Sequence, residues 1–124
     1  MHIVMNIKIL LQRLEMMPMY EYKAKVINVV DGDTIDAEVD VGFYTKMVLR
    51  FRLLGVNCPE MHGENSLAGD AARDFTCLHL DGNEVTLRTY KADSFGRWLC
   101  EVLINGINFN DLLIKEGYAI PYKK

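Results

Sequence analysis

From Tyr20 onward, apolar and polar residues alternate with a period of two. Tyr22, Ala24, Val26 and Asn28 fall on one face, and Lys23, Lys25, Ile27 and Val29 on the other, which predicts a first strand. Asp31-Gly32 follows, a dipeptide favoured in tight hairpins. Ile35, Ala37, Val39 and Val41 then alternate with Asp36, Glu38 and Asp40 to give strand two. Gly42-Phe43-Tyr44 marks the next turn. Strand three runs from about Thr45 to Leu54, with Leu49, Phe51 and Leu53 on one face and Arg50 and Arg52 on the other. Gly55 stops it, and Pro59 bends the chain that follows, because proline fixes its own backbone and extends the residue before it.

The period then changes. His62 to Glu64 is polar loop, and Asn65 is placed to cap a helix over about 66–79. Leu67, Ala68, Ala71, Ala72, Phe75 and Leu78 form one face of that helix. Asp81-Gly82-Asn83 turns the chain into strand four, Glu84 to Tyr90. A polar loop, Lys91 to Gly96, leads to strand five, Arg97 to Ile104. After Asn105-Gly106, Asn108 caps a helix over about 109–116 carrying Phe109, Leu112 and Leu113, and Gly117 ends it as a left-handed residue. The order βββ-α-ββ-α describes an α+β, mainly β domain over 20–124. Five strands with a helix between the third and fourth and a short C-terminal helix is the layout of an OB-fold, a small Greek-key barrel.

Residues 1–19 form an extension. Ile3, Val4, Ile7, Leu10, Leu11 and Leu14 recur at helical spacing, predicting a short amphipathic helix over about 3–15. A signal peptide fits poorly, since Asn6 and Lys8 interrupt the apolar run and no small-residue cleavage site follows. Met16, Met17 and Met19 leave open a later translation start. No run reaches the ~18 apolar residues of a membrane helix, so no membrane partner is expected. A cytoplasmic or phage-encoded protein is favoured over a secreted one.

The 124 residues are 50% hydrophobic and 25% charged, ordinary for one globular domain. A net charge of −3 disfavours a broadly basic nucleic-acid surface but allows a local positive cleft. Three cysteines without a CxxC pair give no disulfide framework or zinc site.

Four groups carry possible chemistry, and each has a plainer reading. Asp31-Gly32-Asp33-Thr34 is a hairpin turn, or a source of metal-binding carboxylate oxygens. Arg52 is an exposed strand arginine or a phosphate ligand. Asn57 and Glu60 are solvated loop residues or site residues. Asp93-Ser94-Phe95-Gly96-Arg97 is a polar hairpin, or a loop presenting a guanidinium.

Taken together, Asp-Gly-Asp-Thr, then Arg-Leu-Leu-x-Val-x-x-Pro-Glu, then Asp-x-aromatic-Gly-Arg resemble the staphylococcal nuclease (thermonuclease) family over about residues 22–120. The resemblance implies hydrolysis of DNA and RNA phosphodiesters with Ca²⁺, and nucleic acid as the partner. It makes Asp33 a direct metal ligand. It puts Asn57 where a second metal carboxylate commonly stands, and Cys58 where a backbone carbonyl coordinates. Glu60 takes the place of the residue proposed as general base, and Arg52 and Arg97 those of the phosphate-contacting arginines. Thr34 would line the same pocket, with Asp31 just behind the ligands. Phe95 and Tyr122 are read either as base-stacking aromatics or as simple packing, Trp98 as strand-five packing, and His62 as a solvated loop histidine in preference to one that approaches the site.

Two departures matter. An amide at Asn57 can ligate Ca²⁺ but removes one negative charge, so weaker metal binding is expected. The family usually continues into a further helix where this chain stops at Lys124. The apolar face of 3–15 is therefore expected to cover that side of the barrel or pair with another subunit, giving a monomer or a dimer through the N-terminal helix. The competing functional reading is a catalytically silent OB-fold module that binds nucleic acid or a protein without cutting.

Overall fold

The computed structural model describes residues 20–60, 63 and 66–122. The expected helix over 3–15, the Asn65 cap and His62 lie outside them. In chain order the elements are β1 (Tyr20–Asp31), β2 (Thr34–Asp40), β3 (Lys46–Leu53), β4 (Val56–Asn57), α1 (Ser66–Leu80), β5 (Glu84–Ala92), β6 (Trp98–Ile104), β7 (Ile107–Asn108), α2 (Phe109–Lys115) and β8 (Ile120–Pro121).

The long strands pair in the order β3-β2-β1-β5-β6, and β3 also pairs with β6. That last pairing is parallel, through Phe51↔Trp98, Arg52↔Leu99 and Leu53↔Cys100. It closes the sheet into a five-stranded barrel at the end of β3, while the first part of that strand, Lys46 to Arg50, has β2 as its partner. With two helices the result is an OB-fold-like α+β domain. Val26, Ile35, Phe51, Leu53, Leu87 and Val102 fill the interior. The alternation expected in strands two and three holds: Ile35, Ala37, Val39, Phe51 and Leu53 point inward and Arg50 is exposed.

Strand one departs from simple alternation. Ala24 and Val26 point inward, but the register with β2 shifts between Val26 and Asn28. Such a bulge adds one residue and reverses the faces beyond it. Val29 is therefore buried, while Asn28, expected beside Val26, is exposed and donates to the Asp36 carboxylate at 3.1 Å. The bulge also aims the end of β1 and its turn.

The first helix packs on a different face from the expected one. Gly69, Ala72, Thr76 and Leu80 are buried, whereas Leu67 and Leu78 are exposed. Close approach decided this: a stripe of small side chains lets α1 lie against the β1–β2 turn, where larger ones would hold it away. Phe75, on the flank of the stripe, stacks on Tyr118 at 4.3 Å between centroids and ties α1 to the segment after α2. Trp98, expected to pack, is half-exposed at the start of β6.

The second helix follows its sequence signals. Asn108 accepts from the Asp111 N–H as N-cap, and Gly117 takes φ +82°. The Gly117 and Tyr118 N–H groups donate back to Ile114 and Leu113 carbonyls, a Schellman closure. The chain then returns across the barrel mouth, where β8 pairs with β4.

Candidate active site

The first carboxylates sit on the β1–β2 turn. Neither Gly32 nor Asp33 has a positive φ, so the turn is not the glycine-dependent hairpin that its dipeptide suggests. Instead Asp31 Oδ1 accepts the Asp33 N–H at 3.3 Å, and the Gly32 carbonyl accepts from Thr76 Oγ1 of α1 at 2.8 Å. The helix thus holds the turn from behind while Asp33 faces a cavity.

Next to this turn, β3 delivers Arg52. Thr34 and Arg52 are register partners, and the Leu53 N–H donates to the Asp33 carbonyl at 2.8 Å. The guanidinium is therefore fixed beside the carboxylate: Nη1 lies 2.7 Å from Asp33 Oδ2, and Nη2 donates to Asn57 Oδ1 at 3.3 Å. Asp33 Oδ2 also accepts the Cys58 N–H at 2.9 Å. Burial nevertheless pushes the Asp33 carboxyl up to about 6, helped by its hydrogen bond with Asp31, against the Cys58 N–H and the Arg52 charge. Burial likewise pushes the Cys58 thiol up to about 12, with Asp33 adding to it. A thiol that stays protonated at neutral pH is a poor ligand and nucleophile, so the Cys58 side chain contributes packing here.

Asn57 lies in β4. Gly55 turns the chain back at φ +79°, and β8 then clamps this segment through Asn57↔Ile120 and a bond from the Tyr122 N–H to the Gly55 carbonyl at 2.9 Å. Pro59 follows and leaves Glu60 exposed. The fourth contribution is the loop between β5 and β6. Asp93 Oδ1 accepts the N–H groups of Phe95 and Arg97 at 3.0 and 2.9 Å. Asp93 Oδ2 takes Arg97 Nε at 3.0 Å and Nη2 at 2.8 Å. The Arg97 guanidinium lies 5.3 Å from the centroid of the exposed Phe95 ring.

These four segments, with Tyr122 just after β8, line one cavity of about 670 Å³, whose walls include Asp31, Asp33, Arg52, Asn57, Cys58, Glu60, Phe95 and Arg97. Of the described residues given a place in the site by the resemblance, Thr34 does not line it. Its side chain is buried and donates to Asp33 Oδ1 at 3.3 Å, so it supports the carboxylate from inside the barrel. Two structural residues were given no role from the sequence. Asp93 opened the loop motif but was assigned no partner, although its spacing of four from Arg97 was the available signal. The buried Asn110 accepts the Val102 N–H at 3.1 Å and donates to the Leu54 and Cys100 carbonyls at 2.9 and 3.0 Å, pinning α2 to β6 and to the residue just after β3. Nothing in its helical position announced that.

The donors around Asp33 are carboxylate, amide and carbonyl oxygens, the chemistry that a hard dication such as Ca²⁺ takes. They fit such an ion in kind. Among the described residues, no three His, Cys, Asp or Glu side chains already converge on one point. A second cleft of about 400 Å³ is lined by Lys23, Lys25, Lys46, Glu38, Asp40 and Glu84 among others. Its charges balance, and it gathers no comparable set.

Comparison with known proteins gives the family. The family model of staphylococcal nuclease homologues matches residues 50–124, which takes in Arg52, Glu60 and Arg97 but not the β1–β2 turn. An uncharacterized protein of Methanocaldococcus jannaschii is 34% identical over 128 residues, covering 82% of this chain and 59% of that protein. The thermonuclease of Staphylococcus hyicus is 38% identical over 104 residues, covering 80% of this chain and 59% of that enzyme. Endonuclease YhcR of Bacillus subtilis is 36% identical over 114 residues, 82% of this chain but 9% of that protein. The chain thus spans less than two-thirds of each of these relatives. On the family match, and on the motifs that its barrel brings into one cavity, the chain belongs to the staphylococcal nuclease homologue family.

Proposed function

We propose that this chain is a metal-dependent nuclease that hydrolyses phosphodiester bonds of DNA or RNA with little sequence specificity. The observation that carries the reading is the convergence of Asp33, Arg52, Glu60 and Arg97 from four separate segments on one cavity.

In this reading Arg52 and Arg97 bind the non-bridging oxygens of the scissile phosphate. Each guanidinium has five N–H donors, and its carboxylate partner engages only some of them. Planar forks held in a partly dry cleft stabilise the charge gathering on the phosphoryl group as it reacts. Glu60 accepts a proton from the attacking water. The water oxygen bonds to phosphorus, the bond to the leaving oxygen breaks, and that oxygen is protonated from solvent. Asp33, Asn57 and the Cys58 carbonyl, with Asp31 beside them, would hold the cation. A bound dication supplies Lewis-acid polarisation of the phosphoryl oxygens. Phe95 and Tyr122 offer base-stacking faces at the cavity mouth.

The second reading, a silent binding module, is favoured by one residue, Asn57, whose amide lowers the charge of the metal site. A cleavage assay on single-stranded DNA and on RNA, with Ca²⁺ or with chelator, separates the two. We expect Ca²⁺-dependent cleavage, lost about 100-fold or more in Glu60→Gln and in Arg97→Ala. Cleavage unmoved by both substitutions would place the chemistry elsewhere. Asn57→Asp restores a carboxylate, so Ca²⁺ should bind it more tightly in calorimetry. Equal affinities would count against the charge reasoning.

A further inference from the structure

Arg97 lies in the loop just before β6 and is held there by Asp93. The carboxylate of Asp93 bonds both ends of this residue: Oδ1 takes its backbone N–H and that of Phe95, and Oδ2 takes Nε and Nη2 of its head. The Asp93 N–H returns to the Arg97 carbonyl at 2.7 Å, and the Gly96 N–H closes on the Asp93 carbonyl at 3.1 Å. Gly96 makes the loop possible through its φ of +79°. An added Cβ there would meet nothing within 4 Å, so the requirement is conformational rather than spatial. The Phe95 ring covers the guanidinium from one side.

We propose that Asp93 is a positioning residue for phosphodiester hydrolysis, presetting the Arg97 guanidinium so that its unspent N–H donors meet the phosphate without a search among rotamers. This inference rests on the nuclease reading of the same site. A flexible arginine stem must be ordered each time it binds. A carboxylate that fixes Nε orders it in advance and leaves the Nη1 side for the substrate. The same carboxylate brings negative charge close to the incoming phosphate. Its neutralisation should therefore ease ground-state binding while it slows the reaction, a combination that simple loop damage does not produce.

Asp93→Asn tests this. The amide oxygen can still accept the Phe95 and Arg97 N–H groups, but the second group, now NH₂, cannot pair with a guanidinium. With an oligonucleotide substrate and Ca²⁺, kcat should fall about 10- to 100-fold, with KM unchanged or lower and the melting temperature close to wild type. In a double-mutant cycle, Asp93→Asn should cost little more in an Arg97→Ala background, because its effect passes through Arg97. In the full-length protein without substrate, the Arg97 Nε–H should give a distinct NMR signal that Asp93→Asn abolishes. Additive losses in the cycle, a KM that rises with unchanged kcat, or an Nε–H signal indifferent to Asp93→Asn would each overturn the proposal while leaving the nuclease reading intact. A wild-type chain that cuts no nucleic acid with any divalent cation would instead overturn the nuclease reading and, with it, the catalytic role given to Asp93.

Discussion

Gly32 is the residue on which the placement of the β1–β2 turn can be tested most directly. Its φ is not positive, so an alanine could adopt the same backbone without strain. Where that holds, Gly→Ala stabilises a protein by about 0.4–1 kcal/mol through the unfolded chain. Space gives the opposite sign. A Cβ at Gly32 would stand 2.8 Å from Cys58 Sγ, 2.9 Å from the Ala72 Cβ and 3.2 Å from the Ala72 backbone carbon. Ala72 is fully buried, and the Thr76 bond to the Gly32 carbonyl holds helix and turn together, so neither side yields freely. Overpacking of this kind costs about 1–3 kcal/mol. For a domain of this size, at about 4 °C per kcal/mol, Gly32→Ala should melt about 4–12 °C below wild type. Circular dichroism melts in chelator measure this without metal linkage. Ala72→Gly loses about 1 kcal/mol of helix propensity but removes one of the two side-chain collisions. The pair should therefore couple by about 1 kcal/mol in the compensating direction. A Gly32→Ala protein that melts at or above the wild-type temperature would refute the close-approach reasoning.

Two further outcomes follow from groups outside the cavity. Asn110→Ala strands the Val102 N–H and the Leu54 carbonyl, while the Cys100 carbonyl keeps the Leu54 N–H at 2.8 Å; at about 1–3 kcal/mol per unpaired buried group, urea denaturation should show a loss of about 2 kcal/mol or more. Asn110→Asp should lose at least as much, since it turns a carboxylate oxygen on two carbonyls, and wild-type stability in either variant would contradict the pinning role. The Arg50 hydrogen bond, joined by that of Asn28, holds the Asp36 carboxyl below the usual carboxylate range. A depressed carboxyl pKa gives stability that is present above about pH 4 and lost as pH falls through the folded-state value. Arg50→Gln should move the acid-unfolding midpoint towards neutrality, by less in high salt, and an unchanged midpoint would reject the assignment.

Most of the barrel was legible because period-two alternation is a direct consequence of one face being buried. Strands two and three kept their phase from end to end. Strand one did not, because a bulge at Ile27 leaves no compositional mark: Val26, Ile27, Val29 and Val30 are all β-branched and fit either face. Helix one misled for a different reason. Its largest apolar residues, Leu67 and Leu78, suggested the packed face, yet the turn carrying Asp31 and Asp33 needed a near neighbour, and the stripe of Gly69, Ala72 and Thr76 is small enough to supply it. The short β4–β8 pair was also silent, since two-residue strands have no periodicity to read. Site residues were legible through motifs rather than through physics of single positions. Asp33, Arg52 and Arg97 each had an adequate plain explanation, and only their order along a βββ-α-ββ-α chain joined them. Asp93 was named in its motif without a role, and Asn110 was not named, because their partners are backbone groups and one arginine that become neighbours only when the chain folds.

The charge inside the cavity gives a physical reason why its arginines are tethered. Four carboxylates, Asp31, Asp33, Glu60 and Asp93, face two guanidiniums, Arg52 and Arg97. Fully ionised, that lining carries −2 and would repel a phosphodiester. Burial already resists the charge, since Asp33 is pushed up to about 6 despite a guanidinium at 2.7 Å. A dication of the kind proposed would bring the lining to neutrality, and a carboxylate at position 57 in place of the amide would require more than that. Asn57 can thus be read as matching the site to a cavity whose arginine is already shared with Asp33. On that view Asn57→Asp trades tighter cation binding for a lining one charge more repulsive to substrate. It should raise Ca²⁺ affinity and KM together, with the KM effect shrinking as salt screens the cavity.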